Sequence, residues 1–372
     1  TTVRKASLMD LILKPTSKCN FACTFCSSTV LSEQPKDIVE LSEIETFIKR
    51  YPDTRTIIVN GGDPLMMPPK YYWDIIDILD KYKCKAVISM TTNMWGFYKK
   101  PEKWRELFQL QRVQIITSFQ YGNARLKGDL TPFTEEEYIA CALLLEEVAG
   151  YRPDFIAVID RSNEHTVLDT VRLAQRMGVE AKVNHLVASG PEVQTRGITI
   201  GAHNKFFTQA DMYEHYIAIY DAGLMEFEYN TKQMAKRLSA GNTTCPLSRE
   251  CDAGIRNLQP GKGYYSCGAF GDDQLYPIDF DAEMKRNSVI ATPLQEAAEL
   301  DNMKESCYTC PMFDICNGCR KTVHDTKRMG LVEYHCKKMK SLAPRIIEIN
   351  GMTDLLEPTP YVDESLPLIA RG

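Results

Sequence analysis

Eleven of the thirteen cysteines in this chain of 372 residues stand in groups at metal-ligand spacing, and no other feature limits so strongly what it can fold into. Cys19, Cys23 and Cys26 lie near the start, and Cys245, Cys251, Cys267, Cys307, Cys310, Cys316, Cys319 and Cys336 crowd a later block. Cys84 and Cys141 stand alone in apolar surroundings and read as small core residues. No basic start, apolar run and small-residue cleavage site opens the sequence, so the expected compartment is the cytoplasm. Disulfides rarely persist there, and the cysteine count therefore points to metal. The remaining composition, 44% hydrophobic and 25% charged, is that of an ordinary soluble protein long enough for one large unit and a smaller one. Net charge is −5 with basic and acidic residues interspersed, which argues against nucleic acid or an anionic membrane as partner. The densest apolar run, Tyr138 to Leu145, ends in Glu146 and Glu147, well short of the roughly 20 residues of a membrane span.

The first 190 residues alternate strand-like with helix-like segments. Apolar, β-branched runs occur at Leu8–Leu13, Thr56–Asn60, Ala86–Met90, Val113–Ser118, Phe155–Ile159 and Ala181–Val187. Between them, Tyr72, Ile75, Ile76 and Leu79 share one helix face. Val167, Leu168, Val171 and Ala174 share another, with Ser162 or Asn163 as N-cap and Gly178 as C-cap. Repeated strand–helix order implies an α/β fold, a parallel sheet with helices outside it. Six units predict an open, partial (β/α)6 parallel barrel over residues 1–190, active at the C-terminal ends of its strands. A connecting segment with one helical stretch, Asp211–Tyr220, is expected over 191–240. Residues 241–345 form a cysteine-rich domain with little hydrophobic periodicity, held together by metal rather than by its own core. Residues 346–372 end the chain as a tail, extended from Glu357 by Pro358, Pro360 and Pro367.

Cys19-Asn-Phe-Ala-Cys23-Thr-Phe-Cys26 directly follows the first strand. Three thiolates can bind a cubane cluster through three of its irons and leave the fourth open. A structural zinc would want a fourth protein ligand, and none sits locally; a catalytic zinc on three ligands is the other reading. CxxxCxxC with Phe25 before the last cysteine, after the first strand of such a barrel, resembles the radical S-adenosylmethionine (SAM) superfamily. The resemblance implies that the open iron chelates the amino and carboxylate groups of SAM. An electron from the cluster then releases methionine and a 5′-deoxyadenosyl radical, which takes a hydrogen atom from substrate. Gly61-Gly62-Asp63-Pro64 after the second strand resembles the family's glycine-rich turn at the SAM ammonium, with Asp63 where the family usually has Glu. Glycines let backbone approach closely, although the same residues also make a good turn. Thr91-Thr92-Asn93 resembles a Thr-Asn-Gly element, with Met94 in place of Gly, and Ser118 matches a position that often meets SAM ribose or carboxylate. For Asn93 and Ser118 the plain alternative is a polar residue capping a strand end. The resemblance covers roughly residues 8 to 190.

Eight further cysteines suffice for two clusters of four ligands. Their order, with Cys251-Asp-Ala-Gly leading to Pro260-Gly261 and Tyr265-Ser-Cys267, resembles the SPASM domain. That domain extends radical SAM enzymes that act mostly on peptides and proteins. The resemblance implies a first auxiliary cluster on Cys245, Cys251, Cys267 and Cys319, and a second on Cys307, Cys310, Cys316 and Cys336. Only Asn317 and Gly318 separate Cys316 from Cys319 where the family places three residues, so which of the two serves which cluster stays open. Two structural zincs, with His324 and His335 as spare ligands, are the alternative. In all, three 4Fe–4S clusters and SAM are the expected cofactors.

The resemblance implies a maturase of ribosomally made peptides that oxidises or crosslinks its substrate, with the auxiliary clusters as electron acceptors. A dehydrogenase of an aminocyclitol or sugar shares the architecture; a peptide epimerase and a sulfatase-maturating enzyme stand behind these. The sulfatase-maturating subgroup carries an Asp directly after the third SPASM cysteine, whereas Gly268 follows Cys267 here and the nearest acids are Asp272 and Asp273. A multi-cluster electron carrier has no use for a SAM turn. About seven residues precede the first strand, so a peptide substrate is expected to need a separate leader-binding protein or a recognition surface on this chain. An electron donor such as flavodoxin or ferredoxin is the other implied partner. Asp272, Asp273, Asp279 and Tyr264 lie near the SPASM cysteines, but nothing in the sequence assigns a general base or radical relay among them.

Overall fold

The computed structural model describes residues 9–26, 38–188, 206–240, 254–285, 307, 310, 312–316 and 320–352. Cys245, Cys251, Cys319 and the proline-rich tail lie outside the described residues. The six expected strands are β1 (Asp10–Leu13), β2 (Thr56–Val59), β3 (Val87–Thr91), β4 (Val113–Ser118), β5 (Phe155–Ile159) and β6 (Ala181–His185), and each pairs in parallel with the next. Their apolar residues are buried because helices cover the outer face: α1 (Leu41–Arg50), α2 (Pro69–Lys81), α3 (Trp95–Lys99), α4 (Glu135–Ala149) and α5 (Val167–Met177). The fold is thus an α/β partial barrel of the expected kind.

The start of α5 lies further along than the sequence suggests. A 3-10 turn, Glu164–Thr166, precedes it, so Thr166 is the N-cap rather than Ser162 or Asn163, while Gly178 (φ +67°) is the expected C-cap. The Asn163 side chain is committed elsewhere. It accepts from the Asp160 N–H (2.8 Å) and donates to the carbonyls of Tyr121 (3.0 Å) and Val158 (3.2 Å), tying the end of β5 to the loop after β4.

Two strands had no periodic signal. β7 (Ile255–Gln259) adds in parallel to β1, and β8 (Gly263–Tyr265) returns antiparallel, giving the order β6-β5-β4-β3-β2-β1-β7-β8. Part of the cysteine-rich block therefore continues the sheet. Its buried face is polar, which hides it from a hydrophobic pattern. Arg256 is fully buried and bonds to Glu283 (2.9 Å) of α9 (Phe280–Lys285), whose carboxylate also accepts from Tyr264 (2.8 Å) and Tyr51 (3.0 Å). Removing one member of such a pair strands a buried charge. Glu283→Ala is expected to cost about 3–5 kcal/mol, read as a lower denaturant midpoint. A midpoint unchanged from the parent would show that the pair does not fasten β7 and β8 to the barrel.

Beyond the barrel, α6 (Gln209–Asp221) and α7 (Tyr229–Ala235) pack with α11 (Val332–Ile349) in a second apolar core that includes Tyr213, Tyr216, Met234 and Met339. Two more helices carry polar groups discussed below, α8 (Gly268–Asp273) and α10 (Arg320–Arg328). Among the described residues no helix is long and apolar enough to cross a membrane.

Candidate active site

The loop leaving β1 places Cys19, Cys23 and Cys26 at the C-terminal strand ends. Backbone bonds fasten it to the segment after β4: Ala22 N–H to the Leu126 carbonyl and Thr24 N–H to the Ala124 carbonyl, both 2.9 Å. Cys19 is half-buried, Cys23 buried and Cys26 exposed. The Phe21 N–H donates to Cys19 Sγ (3.4 Å). Burial pushes the Cys19 thiol up to about 12, with Asp63 and the other two thiols adding to the shift. Burial also raises Cys23, opposed by Arg125. Cys19 and Cys23 thus feel the charge of their neighbouring thiols, and ionising them needs a cationic partner, which ligation to iron would supply. As they stand they are neighbours rather than a closed shell: among the described residues no three His, Cys, Asp or Glu side chains are gathered closely enough to enclose a metal ion. The donor set, three thiols on one loop beside a buried cation, fits a cluster that takes three protein ligands and leaves one position open.

The turn after β2 lies directly against this loop. Gly62 N–H donates to the Thr16 carbonyl (3.0 Å) and Asp63 N–H to the Lys18 carbonyl (2.7 Å). Gly61 adopts φ +109°, and a Cβ on Gly62 would stand 1.9 Å from the Lys18 carbonyl oxygen. The Asp63 carboxylate is buried and accepts from Leu65 N–H (2.8 Å), the Thr92 hydroxyl (2.9 Å) and Asn93 N–H (2.8 Å). Burial pushes it up to about 6, and those donors hold it down. Pro64 opens the 3-10 turn that Asp63 caps. The Asn93 amide then donates to Asn20 Oδ1 (2.7 Å) and approaches Cys19 Sγ (3.9 Å). Asp63 is therefore what joins the loops after β1, β2 and β3 into one floor.

Ser118 ends β4 and leads to a residue that sequence reading missed. Its hydroxyl accepts from Arg125 Nη1 (2.9 Å), while Arg125 Nε and Nη2 reach Gln120 Oε1 (2.9 and 2.7 Å). The guanidinium lies 5.1 Å over the Phe25 ring. Burial lowers the Arg125 pKa, and Cys23, Cys26 and Cys19 oppose that. The structure thus brings Phe25, Ser118 and the three cysteines together through one buried cation. No spacing rule flags an arginine inside an irregular loop, and only the fold carries it to the thiols.

In the C-terminal block, Cys267 precedes α8 and is half-buried. Lys14, just past β1, donates to the Gly268 carbonyl (2.9 Å) and to Asp272 (2.6 Å), linking this block to the barrel mouth. Asp273 pairs with Lys321 of α10 (2.6 Å), which also holds Asp325 (2.5 Å). Tyr264 is buried on Glu283, and Asp279 caps α9 through the Ala282 N–H (2.9 Å), so both serve the fold. Cys307, Cys310 and Cys336 stand together: burial raises Cys307, with Cys336 and Cys310 adding to it, and burial and Cys310 raise Cys336. Cys316 Sγ instead lies 3.2 Å from His335 Nε2 and 4.0 Å from the Gln209 side chain.

Residues 13–174 match the model of the radical SAM superfamily. The fold is similar to that of native anSMEcpe with bound AdoMet, with TM-score 0.64 and 14% identity over 92% of this chain and 99% of that one. It is equally similar to native anSMEcpe with bound AdoMet and Cp18Cys peptide (TM-score 0.63, 13% identity, 92% and 99% covered). Streptococcus suis SuiB bound to S-adenosylmethionine follows at TM-score 0.50 and 14% identity, over 83% of this chain and 72% of that one. No curated protein sequence matches the chain. The three-cysteine loop and the glycine turn, at the ends of β1 and β2, lie inside the matched span, and residues 13–174 form a radical SAM domain.

Proposed function

We propose that this enzyme matures a ribosomally made peptide by oxidising or crosslinking a side chain, with SAM as co-substrate. The observation that carries the radical reading is the meeting of the cysteine loop with the Gly61–Pro64 turn in direct backbone contact. Cys19, Cys23 and Cys26 would hold a 4Fe–4S cluster, which when bound would supply the one-electron chemistry that cleaves SAM. The protein's part is placement. Asp63 and Asn93 join the loops of the floor, the Gly61–Pro64 backbone would meet the SAM ammonium, and Ser118 with Arg125 would close the far side. The fold likeness to anSMEcpe spans 92% of this chain, and one of those structures holds a Cp18Cys peptide, which favours a peptidyl substrate here. Cys267 would help to hold a first auxiliary cluster and Cys307, Cys310 and Cys336 a second. Eight extra cysteines suit a reaction that must remove a further electron after hydrogen abstraction.

The product is therefore expected to be lighter by about two hydrogens per event, with one SAM consumed per turnover. Mass spectrometry of the peptide product checks it. A product of unchanged mass carrying solvent deuterium would indicate epimerisation and overturn the oxidation. Turnover of an isolated sugar or cyclitol at an ordinary rate would defeat the peptide class instead.

A further inference from the structure

The buried face of α11 carries one polar residue. His335, Met339, Ala343 and Ile346 recur at helical spacing, and the last three belong to the second apolar core. An aliphatic side chain would continue that stripe, yet the position holds an imidazole that is only 7% exposed. A polar atom buried without a partner costs stability, and His335 Nδ1 has no hydrogen-bond partner among the described residues. The other ring nitrogen is the one in use: Nε2 stands 3.2 Å from Cys316 Sγ.

Protein contacts set the place of that thiol. Cys316 ends the short helix Phe313–Cys316, and its N–H donates to the Met312 carbonyl (2.8 Å). The Ile315 carbonyl before it accepts from the Tyr213 hydroxyl (3.1 Å) and from Arg237 Nε (2.9 Å), both buried. On α11 the next residue after His335 is Cys336, about 100° further round the helix and in the neighbourhood of Cys307 and Cys310. One turn of α11 thus presents a cysteine ligand and, beside it, a nitrogen aimed at another cysteine. A thiol could donate or accept across the 3.2 Å contact. A thiolate bound to iron has no proton left, so the hydrogen must then sit on His335 Nε2. Such a bond to a charged sulfur strengthens when the cluster gains an electron, and hydrogen bonds to the sulfurs therefore help to set cluster potentials.

We propose that His335 is a positioning residue of the auxiliary cluster that Cys316 joins: its Nε2–H donates to the Cys316 thiolate and raises the potential of that cluster, which readies it to accept an electron. This rests on the auxiliary-cluster reading above. One electron passes from the substrate radical into the cluster, and the imidazole keeps its proton.

The test uses the full chain with Cys19, Cys23 and Cys26 replaced by Ala, so that only auxiliary clusters titrate, and follows them by EPR through a redox titration. His335→Phe keeps the bulk of a ring and removes the donor, whereas His335→Gln keeps an N–H. In His335→Phe one auxiliary cluster is expected to become at least about tenfold harder to reduce, a downward midpoint shift of about 59 mV. Its iron content and the midpoint of the other cluster should stay at the parent level, and His335→Gln should restore most of the shift. Pulsed EPR of the reduced parent carrying isotope-labelled histidine should show one weakly coupled nitrogen, a readout for which no variant has to fold. An unmoved midpoint in His335→Phe would overturn the proposal, as would the absence of any histidine coupling. Strong nitrogen coupling, or one cluster lost in both variants, would make His335 a ligand to iron and overturn it too. Zinc in place of iron in the C-terminal block would defeat the auxiliary-cluster reading itself, a failure that the metal content alone identifies.

Discussion

Protein in which Cys19, Cys23 and Cys26 are all replaced by Ala is expected to make no 5′-deoxyadenosine from SAM, while the parent, given dithionite and no substrate, makes it slowly. Iron should fall from about twelve to about eight per chain, with the remaining clusters' spectrum unchanged. The reason is local. The three thiols share one loop, each within electrostatic reach of the others and of Arg125. Removing them leaves a buried guanidinium without the negative charge that its surroundings provide for. The C-terminal cysteines sit on other elements: Cys307, Cys310 and Cys336 keep their mutual neighbourhood whatever happens at β1. Continued formation of 5′-deoxyadenosine by the triple variant would place the cleaving centre elsewhere in the chain. Zinc filling the C-terminal block, in protein made anaerobically with ample iron, would remove the auxiliary-cluster assignment.

Gly62→Ala should be nearly as damaging, although it adds a single methyl group to a turn. That methyl would stand 1.9 Å from the Lys18 carbonyl oxygen and 2.5 Å from that of Ser17, both backbone atoms that cannot rotate away. One of the two loops must move, and the loop that moves is joined to Cys19. A misplacement of about 1 Å at a reacting centre costs on the order of 100-fold in rate, and the expected loss of 5′-deoxyadenosine formation is of that size. Gly150→Ala is the control. Gly150, unlike Gly62, has positive φ (+83°), but nothing lies within 4 Å of its would-be Cβ. Strain there should cost about 1–2 kcal/mol of stability and leave the rate unchanged. If Gly62→Ala cleaved SAM at the parent rate, the close contact between the two loops would have no catalytic meaning.

The Gly62 contact also shows where sequence reading stops. The turn motif was legible because Gly-Gly-Asp-Pro follows a strand, a local pattern. That its glycines admit the backbone of residues 16–18 was not legible, since that depends on which strand lies beside β2. Asp63 was read as a SAM neighbour by resemblance; the fold shows its carboxylate committed to Leu65, Thr92 and Asn93.

What the sequence determined by itself is whatever local periodicity and spacing encode. The six parallel strands follow from apolar runs at regular intervals, and the first ligand loop follows from CxxxCxxC after the first of them. Cys84 and Cys141, read as core residues, are buried. The tertiary structure alone decided the contacts whose partners are distant and polar. β7 joins β1 across more than two hundred residues, and its buried Arg256 and Asn257 present no apolar alternation to detect. Lys14 meets Asp272 from 258 residues away in the chain, and Arg125 reaches the thiols only because its loop pairs with theirs. A buried charge is stable only beside its partner, and no one-dimensional pattern states which partner that is.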